Sequence, residues 1–302
     1  MLHSDPQAFV AAARQCPADR PALPRAAFLV APDGFALSEQ TARDNLYMRM
    51  QAGADPERAL AQHRVLQRAL ADELPVLCFP GGADTPDAVF PNNVFATVPG
   101  RLIIGHMCHP VRRREAARTD IRDFFERVLG YAVIDLREQS GIAELTGALV
   151  LDRARGLGLA GLSDRCDATG AAAMHAAFGL SATLQFALAP GEYHSNVVMS
   201  VLAGRALVIC RDGVAEPAVA DALCALYAPH VIEISAAEKA HFAGNCIALT
   251  DRSVWISQTA ADALAPSTRA ALERTGFAIR SVALDELEKS GGSLRCCVAE
   301  LF

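Results

Sequence analysis

The chain has 302 residues, 52% of them hydrophobic and 21% charged, with a formal net charge of −6. That is ample apolar material for a large core, and it leaves no basic surface to release counterions from nucleic acid, which excludes a nucleic-acid partner. No window reaches the ~18 uninterrupted apolar residues of a membrane span. The start MLHSDPQAFVAAARQCP lacks the basic stretch and long apolar run of a signal peptide, so a cytoplasmic protein without a membrane partner is expected.

In chain order, FLVAP (28–32) predicts a strand, followed by a long irregular stretch, DGFALSEQTARDN (33–45). Loops of that length usually carry function, and this one is a candidate lid, with a merely solvated connector as the alternative. ERALAQHRVLQRALADEL predicts a helix and PVLCFPGG a strand. NVFATV turns at Pro99-Gly100 into RLIIGHM, and RRREAARTDIRDFFERVLG supplies a helix. LVLDRARG and LGLAGLS predict two strands before the Ala-rich DATGAAAMHAAFGL. NVVMSVL turns at Ala203-Gly204-Arg205 into ALVIC, and VAEPAVADALCALY has apolar residues at helical spacing. NCIALT turns at Asp251-Arg252 into SVWISQ, then come the helix TRAALERTG, the strand FAIRSV and the terminal CCVAELF.

Five of these strands open on a small polar residue or a thiol: Asn93, Thr146, Asn196, Asn245 and Cys296, at intervals of 53, 50, 49 and 51 residues. A period near fifty marks a repeat architecture whose units cannot bury their apolar faces separately, so residues 1–302 read as a single domain. The last copy is split, CCVAELF pairing with FLVAP, so that joining the two ends leaves no open sheet edge. If the copies close around an axis, their five leading residues converge on one pocket.

Nine cysteines without CxxC spacing fit neither a disulfide framework nor a zinc ribbon, and most sit in apolar runs as inert core thiols. Cys296 follows GGSLR, where Gly291 and Gly292 let the backbone approach a ligand, and Arg295 beside it favours a thiolate nucleophile. Strand alternation points Cys297 to the opposite face. His194 lies two residues before Asn196 and Glu144 two before Thr146, so both reach the pocket on an extended chain. Histidine suits proton transfer to a leaving amine and then the activation of water by taking its proton, and a carboxylate can orient the imidazole. His106, Cys108 and His109 in HMCHP make a poor metal template without a fourth ligand, so no metal is expected. Arg112, Arg113 and Arg114 open a helix as a solvated face, from which one fork can pair with a substrate carboxylate.

On these residues the chain resembles the guanidino-group-modifying enzymes, the superfamily of arginine deiminases, dimethylarginine hydrolases, amidinotransferases and succinylarginine dihydrolase. The blocks FALSEQTARDN, DAVFPNNVFAT, ELTGALVLDR, YHSNVVMSV, FAGN and GGSLRCCVAELF are similar to the branch of citrulline hydrolases, and the resemblance covers nearly the whole chain. It implies an α/β fold, a five-bladed ββαβ propeller (the pentein fold) with pseudo-fivefold symmetry, forming one catalytic domain. It implies Cys296 as nucleophile, His194 as general acid and base, and Glu144 as carboxylate partner. Arg165 in LSDRCD and Arg114 in RRRE resemble the arginines that hold a substrate carboxylate. No cofactor is implied, the partner is a small amino acid, and a homodimer stays open.

One departure from that pattern is informative. Deiminases carry aspartates at the positions matching Asn93 and Asn196, where they clamp a cationic guanidinium. Here both are amides, which suit the carbonyl and N–H groups of a neutral ureido group. Asp87 is the one remaining carboxylate of that region, so arginine stays open. The expected reaction is hydrolysis of citrulline, or a related ureido or guanidino amino acid, through a Cys-linked intermediate. The alternatives are an arginine deiminase or dihydrolase, an amidinotransferase, and a non-catalytic binding module.

Overall fold

The computed structural model describes residues 1–302 as a mixed α/β chain with five separate sheets. Three are built alike. Phe95–Val98 pairs antiparallel with Arg101–Ile104, which pairs parallel with Ala132–Asp135 after a helical connection. Leu149–Asp152, Leu157–Leu162 and Ala182–Ala187 repeat the pattern, as do Met199–Leu202, Ala206–Ile209 and Val231–Glu233. A further sheet joins the two ends of the chain: Ala299–Leu301 lies antiparallel to Ala26–Val30, which is parallel to Val76–Phe79. The remaining sheet has two strands, Ser253–Ser257 and Ala278–Val282.

Local chemistry accounts for the hairpins and helices. At the turn joining Leu202 to Ala206, Ala203 and Gly204 both have positive φ, +49° and +66°, the pair of values that a tight hairpin matched to strand twist requires. The crossover helix Pro217–Tyr227 starts on a proline and buries Val219, Ala220 and Leu223 in the same cluster as Leu207 and Ile209 of the sheet it covers. Apolar clusters of this kind lie between sheets and helices and leave a polar middle.

The structure corrects one expectation about that middle. The leading residues are not strand tips: four of the five sit in single helical turns that precede the strands, at Pro91–Asn93, Leu145–Ala148, Ser195–Val198 and Leu294–Cys297. Residues 245–250 form no strand at all, only a bridge from Ile247 to Trp255. The reason lies in hydrogen bonding. Thr146 Oγ1 donates to Asn92 O (2.8 Å), Asn196 Nδ2 to Thr146 O (3.1 Å) and Asn245 Nδ2 to Asn196 O (3.0 Å), and the Cys296 N–H donates to Asn245 Oδ1 (3.4 Å). Each turn thus satisfies polar groups of its neighbour, which strand tips pointing at an axis could not do without leaving buried amides unpaired. The turn Leu294–Cys297 also packs against Pro91–Asn93, so the last leader meets the first.

Candidate active site

On one side of these turns lies a small cavity lined by Thr41, Asn45, Asp87, Phe90, Asn93, Arg112, Arg165, Tyr193, His194, Ser290, Gly292 and Cys296. The turns deliver Asn93 and Cys296, and the extended residue before the turn Ser195–Val198 delivers His194. Gly147 makes this convergence feasible. A Cβ there would lie 2.6 Å from His194 Cε1 and 2.9 Å from Asn93 Cβ, so no larger residue fits between them.

Cys296 Sγ is cradled by amides. Asn245 Nδ2 stands 3.3 Å from the sulfur and Asn196 Nδ2 3.7 Å, so two N–H donors face it. Burial pushes the thiol above its ordinary value. The hydrogen bonds from the Ser293 region, Asn245 and Asn196 and the charge of Arg295 offset this only in part. The resting group is therefore the thiol, contrary to the expectation that Arg295 would favour a thiolate. Arg295 spends its donors on Val298 O and Glu300, away from the sulfur. Cys297 is fully buried, borders no part of this cavity, and its thiol is pushed well up by the same loss of water.

His194 is 1% exposed, and its Nε2 lies 2.9 Å from Glu144 Oε2. Burial lowers the imidazole below its ordinary value against the pull of Glu144, so it is neutral at pH 7. The carboxylate only accepts, which places the ring proton on Nε2 and leaves Nδ1 as the free base. Glu144 is completely buried and also accepts from Arg165 Nη1 (3.2 Å) and the Cys108 N–H (3.1 Å). Although burial opposes it, Arg165 and His194 hold this carboxyl well below the usual range.

The cavity wall offers polarity of both kinds. Asp87 is 2% exposed; its Oδ2 accepts from Thr41 Oγ1 (3.1 Å), and its Oδ1 has no partner in the protein. Arg112 donates through Nη2 to Asn93 Oδ1 (2.8 Å) and Phe90 O (3.1 Å), and through Nε to Glu115 Oε2 (2.9 Å). Burial raises Glu115, to about 8, against the pull of Arg112.

Segment 33–45 forms part of the roof. Thr41 and Asn45 line the cavity, and Asp44 grips Arg165 with both oxygens at 2.6 and 2.7 Å. Asn45 Nδ2 reaches Gly291 O at 3.5 Å. The free space beneath is about 20 Å³, room for one water.

The cavity thus gathers Cys296, His194, Asp87, Asn93 and Arg165, with Glu144 behind the imidazole. Two sequence expectations need correction. Arg114 is exposed on the helix Pro110–Ala116 and lines nothing here; Arg112, two positions earlier, is the buried member of the triplet. The same helix puts residues 112 and 115 on its inner side at i, i+3 spacing, a periodicity the sequence displays but which three adjacent arginines obscure. Asn196 spends its amide on Thr146 O and the sulfur and does not face the open cavity. Sequence reasoning also missed Asn45, Ser290 and Tyr193, whose signal was their place inside or beside the recognised blocks.

Asp44, Cys108 and His109 each bring one ligand atom within 4.8 Å of the others. Asp44 is already paired with Arg165, whose fixed positive charge opposes a cation, and His106 is not part of the group.

The family described as N,N dimethylarginine dimethylhydrolase, eukaryotic, matches residues 31–302. Among the curated proteins, none matches this sequence. The N-terminal domain of ArgZ, an arginine dihydrolase from the ornithine-ammonia cycle in cyanobacteria, superposes with a TM-score of 0.79 at 18% identity, covering 91% of this chain and 97% of that one. The DDAH from Pseudomonas aeruginosa, complexed with citrulline, gives 0.71 at 23% identity, with 92% and 100% covered. AgrE in ternary complex with ornithine and NAD+ gives 0.78 at 20% identity, with 92% of this chain matching 39% of that longer one. At these identities the likeness establishes the fold, a mixed α/β architecture of the pentein type.

Proposed function

The chain belongs to the N,N-dimethylarginine dimethylhydrolase family, within the guanidino-group-modifying superfamily of C–N hydrolases and deiminases, and from that premise we propose that it hydrolyses citrulline to ornithine and carbamate. The observation that carries the reading is the meeting of a thiol held by two amide donors and a neutral imidazole backed by a buried carboxylate on one cavity.

His194 Nδ1 takes the Cys296 proton as Sγ attacks the ureido carbon. Collapse of the tetrahedral adduct breaks the bond to the side-chain nitrogen, and His194 returns the proton to the departing ornithine amine. A carbamoyl thioester remains on Cys296. Water deprotonated by His194 adds to it, the thiolate leaves, and carbamate departs to break down to ammonia and carbon dioxide. Glu144 keeps the ring tautomer and stabilises the imidazolium formed in both steps. The amides of Asn196 and Asn245 stabilise the thiolate each time it appears. Asn93 meets the ureido group, and Asp87 Oδ1 accepts one of its N–H groups. Arg165 pairs with the substrate carboxylate once Asp44 lets go.

The unpartnered Asp87 oxygen also favours a second reading, an arginine dihydrolase, because a buried guanidinium needs a counter-charge. In either case the five sheets are read as blades of one pseudo-fivefold ββαβ propeller forming a single catalytic domain, 1–302. No helix is long and apolar enough to cross a membrane. The test is incubation with citrulline and with arginine, each alone, while ornithine and ammonia are followed. Ornithine from citrulline and none from arginine supports the first reading; turnover surviving in Cys296→Ala removes the mechanism.

A further inference from the structure

We propose that the buried Arg112–Glu115 pair is a specificity device: it locks the Asn93 side chain with its N–H groups toward the reacting group, so that the site reads an oxygen where a guanidinium carries nitrogen. The inference rests on the citrulline reading and adds to it the atom that discriminates and the residues that set it.

An asparagine amide has an acceptor end and a donor end, and nothing intrinsic decides which faces a ligand. Here the choice is made by a group that can only donate. Arg112 Nη2 lies 2.8 Å from one terminal atom of Asn93, and a guanidinium never accepts, so that atom is Oδ1. Asn93 Nδ2 makes no hydrogen bond to another protein group, and Asn93 borders the cavity with Cys296 and His194. The amide therefore presents N–H groups to whatever is bound.

Arg112 is itself immobilised. It is 3% exposed, held by Glu115 through Nε and Nη2 at 2.9 and 2.8 Å, and by Phe90 O at 3.1 Å. Glu115 is 1% exposed and pairs with no other basic side chain. A rotated Asn93 would set its NH2 against the guanidinium, two donors facing each other in a buried site, which is costly. A ureido oxygen, and still more the oxyanion of its tetrahedral adduct, accepts from Asn93 Nδ2. The matching nitrogen of a guanidinium carries only hydrogens and meets the same donor unpaired. Asp87 Oδ1 supplies the complementary acceptor for the terminal NH2, so the wall reads both edges of a ureido group.

Arg112 is thus a positioning residue acting through Asn93, which separates it from an arginine that grips the substrate carboxylate. Citrulline and arginine share the same α-amino-carboxylate end, so loss of a carboxylate contact weakens both equally. The experiment measures kcat/KM for the two substrates in wild type, Arg112→Met, Asn93→Ala and the double variant. The expected result is that Arg112→Met collapses the citrulline-to-arginine ratio by about tenfold or more, the discrimination carried by one mispaired buried hydrogen bond. In the Asn93→Ala background the same substitution moves the ratio by less than about twofold, because the two residues act as one. Arg112→Lys keeps a donor for Asn93 Oδ1 and restores much of the ratio.

Should Arg112→Met fail to fold with Glu115 left unpaired, Arg112→Met/Glu115→Met removes both buried partners together and carries the same expectation. A ratio unchanged in Arg112→Met, with both substrates losing equally, overturns the proposal while leaving the citrulline reading intact. A wild-type protein that prefers arginine, or takes neither substrate, overturns both.

Discussion

Replacing Glu144 with glutamine changes one atom in the most densely bonded group of the site, and the structure sets the size of the effect. The carboxylate accepts three hydrogen bonds, from His194 Nε2 at 2.9 Å, Arg165 Nη1 at 3.2 Å and the Cys108 N–H at 3.1 Å, with no exposure to water. Glutamine with its oxygen in the place of Oε2 still accepts from His194 and Arg165, now without a negative charge, and sets its NH2 against the Cys108 N–H. One bond is lost, the other two lose their charge assistance, and Arg165 retains Asp44, so a net loss of about 3–5 kcal/mol follows, that of breaking a buried ion pair. For a chain of 302 residues the unfolding entropy is about 0.6 kcal/mol per degree, so the melting temperature should fall by about 5–8 °C. The pH dependence carries the sign. The folded carboxyl is held well below its ordinary 4.5, so the wild type's advantage is complete above that value and shrinks as pH falls below it. Catalysis should suffer more than stability: without the carboxylate the imidazolium loses its counter-charge, and the matching carboxylate-to-amide change in Ser-His-Asp enzymes costs about 10⁴ in turnover. Calorimetry at pH 7 and pH 4, with ornithine release from citrulline, checks both. A variant melting within about 1 °C of wild type and turning over within about threefold would refute the account of Glu144 as orienter and buried counter-ion.

Other outcomes follow from the same geometry. Cys296→Ala should abolish ornithine release while the far-ultraviolet spectrum stays that of wild type, because the Asn245 and Asn196 amides keep backbone partners; residual turnover above about 1% would contradict a covalent route. Gly147→Ala should cut kcat about 10²-fold or more, since the added methyl enters the space of the His194 ring, and single-turnover kinetics on the variant provide the check. In a pH profile of kcat/KM, activity requires neutral His194, whose burial moves protonation below 6.5, and the thiol gains nothing from ionisation before pH 9; the acid limb should have its midpoint below 6.5 with a flat region to about 9. A midpoint above 6.5 would show that Glu144, and not burial, dominates the ring. Arg114→Ala should leave kcat and KM within about twofold of wild type, because its side chain lies on the outer face of its helix.

Particular residues show where the sequence sufficed. Strict spacing of Asn93, Thr146, Asn196, Asn245 and Cys296 announced that remote segments meet, since a repeat buries its apolar faces only by packing on its neighbours. The alternation of short apolar strands with helical stretches yielded the hairpins at Pro99-Gly100 and Ala203-Gly204, the crossover helices, and the pairing of the chain's two ends. These are local or periodic properties, encoded residue by residue. What the strand-tip picture missed was the single helical turn before four of these strands, because one turn of helix is too short to show a period and forms only when a neighbouring turn accepts its hydrogen bonds.

The same limit governs the site. Cysteine, histidine and glutamate could be named from the sequence because their chemistry is scarce and their positions recur with the repeat. Which of three consecutive arginines turns inward, whether an amide shows its oxygen or its nitrogen, and whether the thiol rests protonated are not properties of those residues. Arg112 is selected over Arg114 by the helix phase against the core, Asn93 is oriented by a donor nineteen positions away in the chain, and the Cys296 thiol is pushed up by exclusion of water. Orientation and protonation depend on the field and partners that distant segments bring together, and those exist only once the chain has packed.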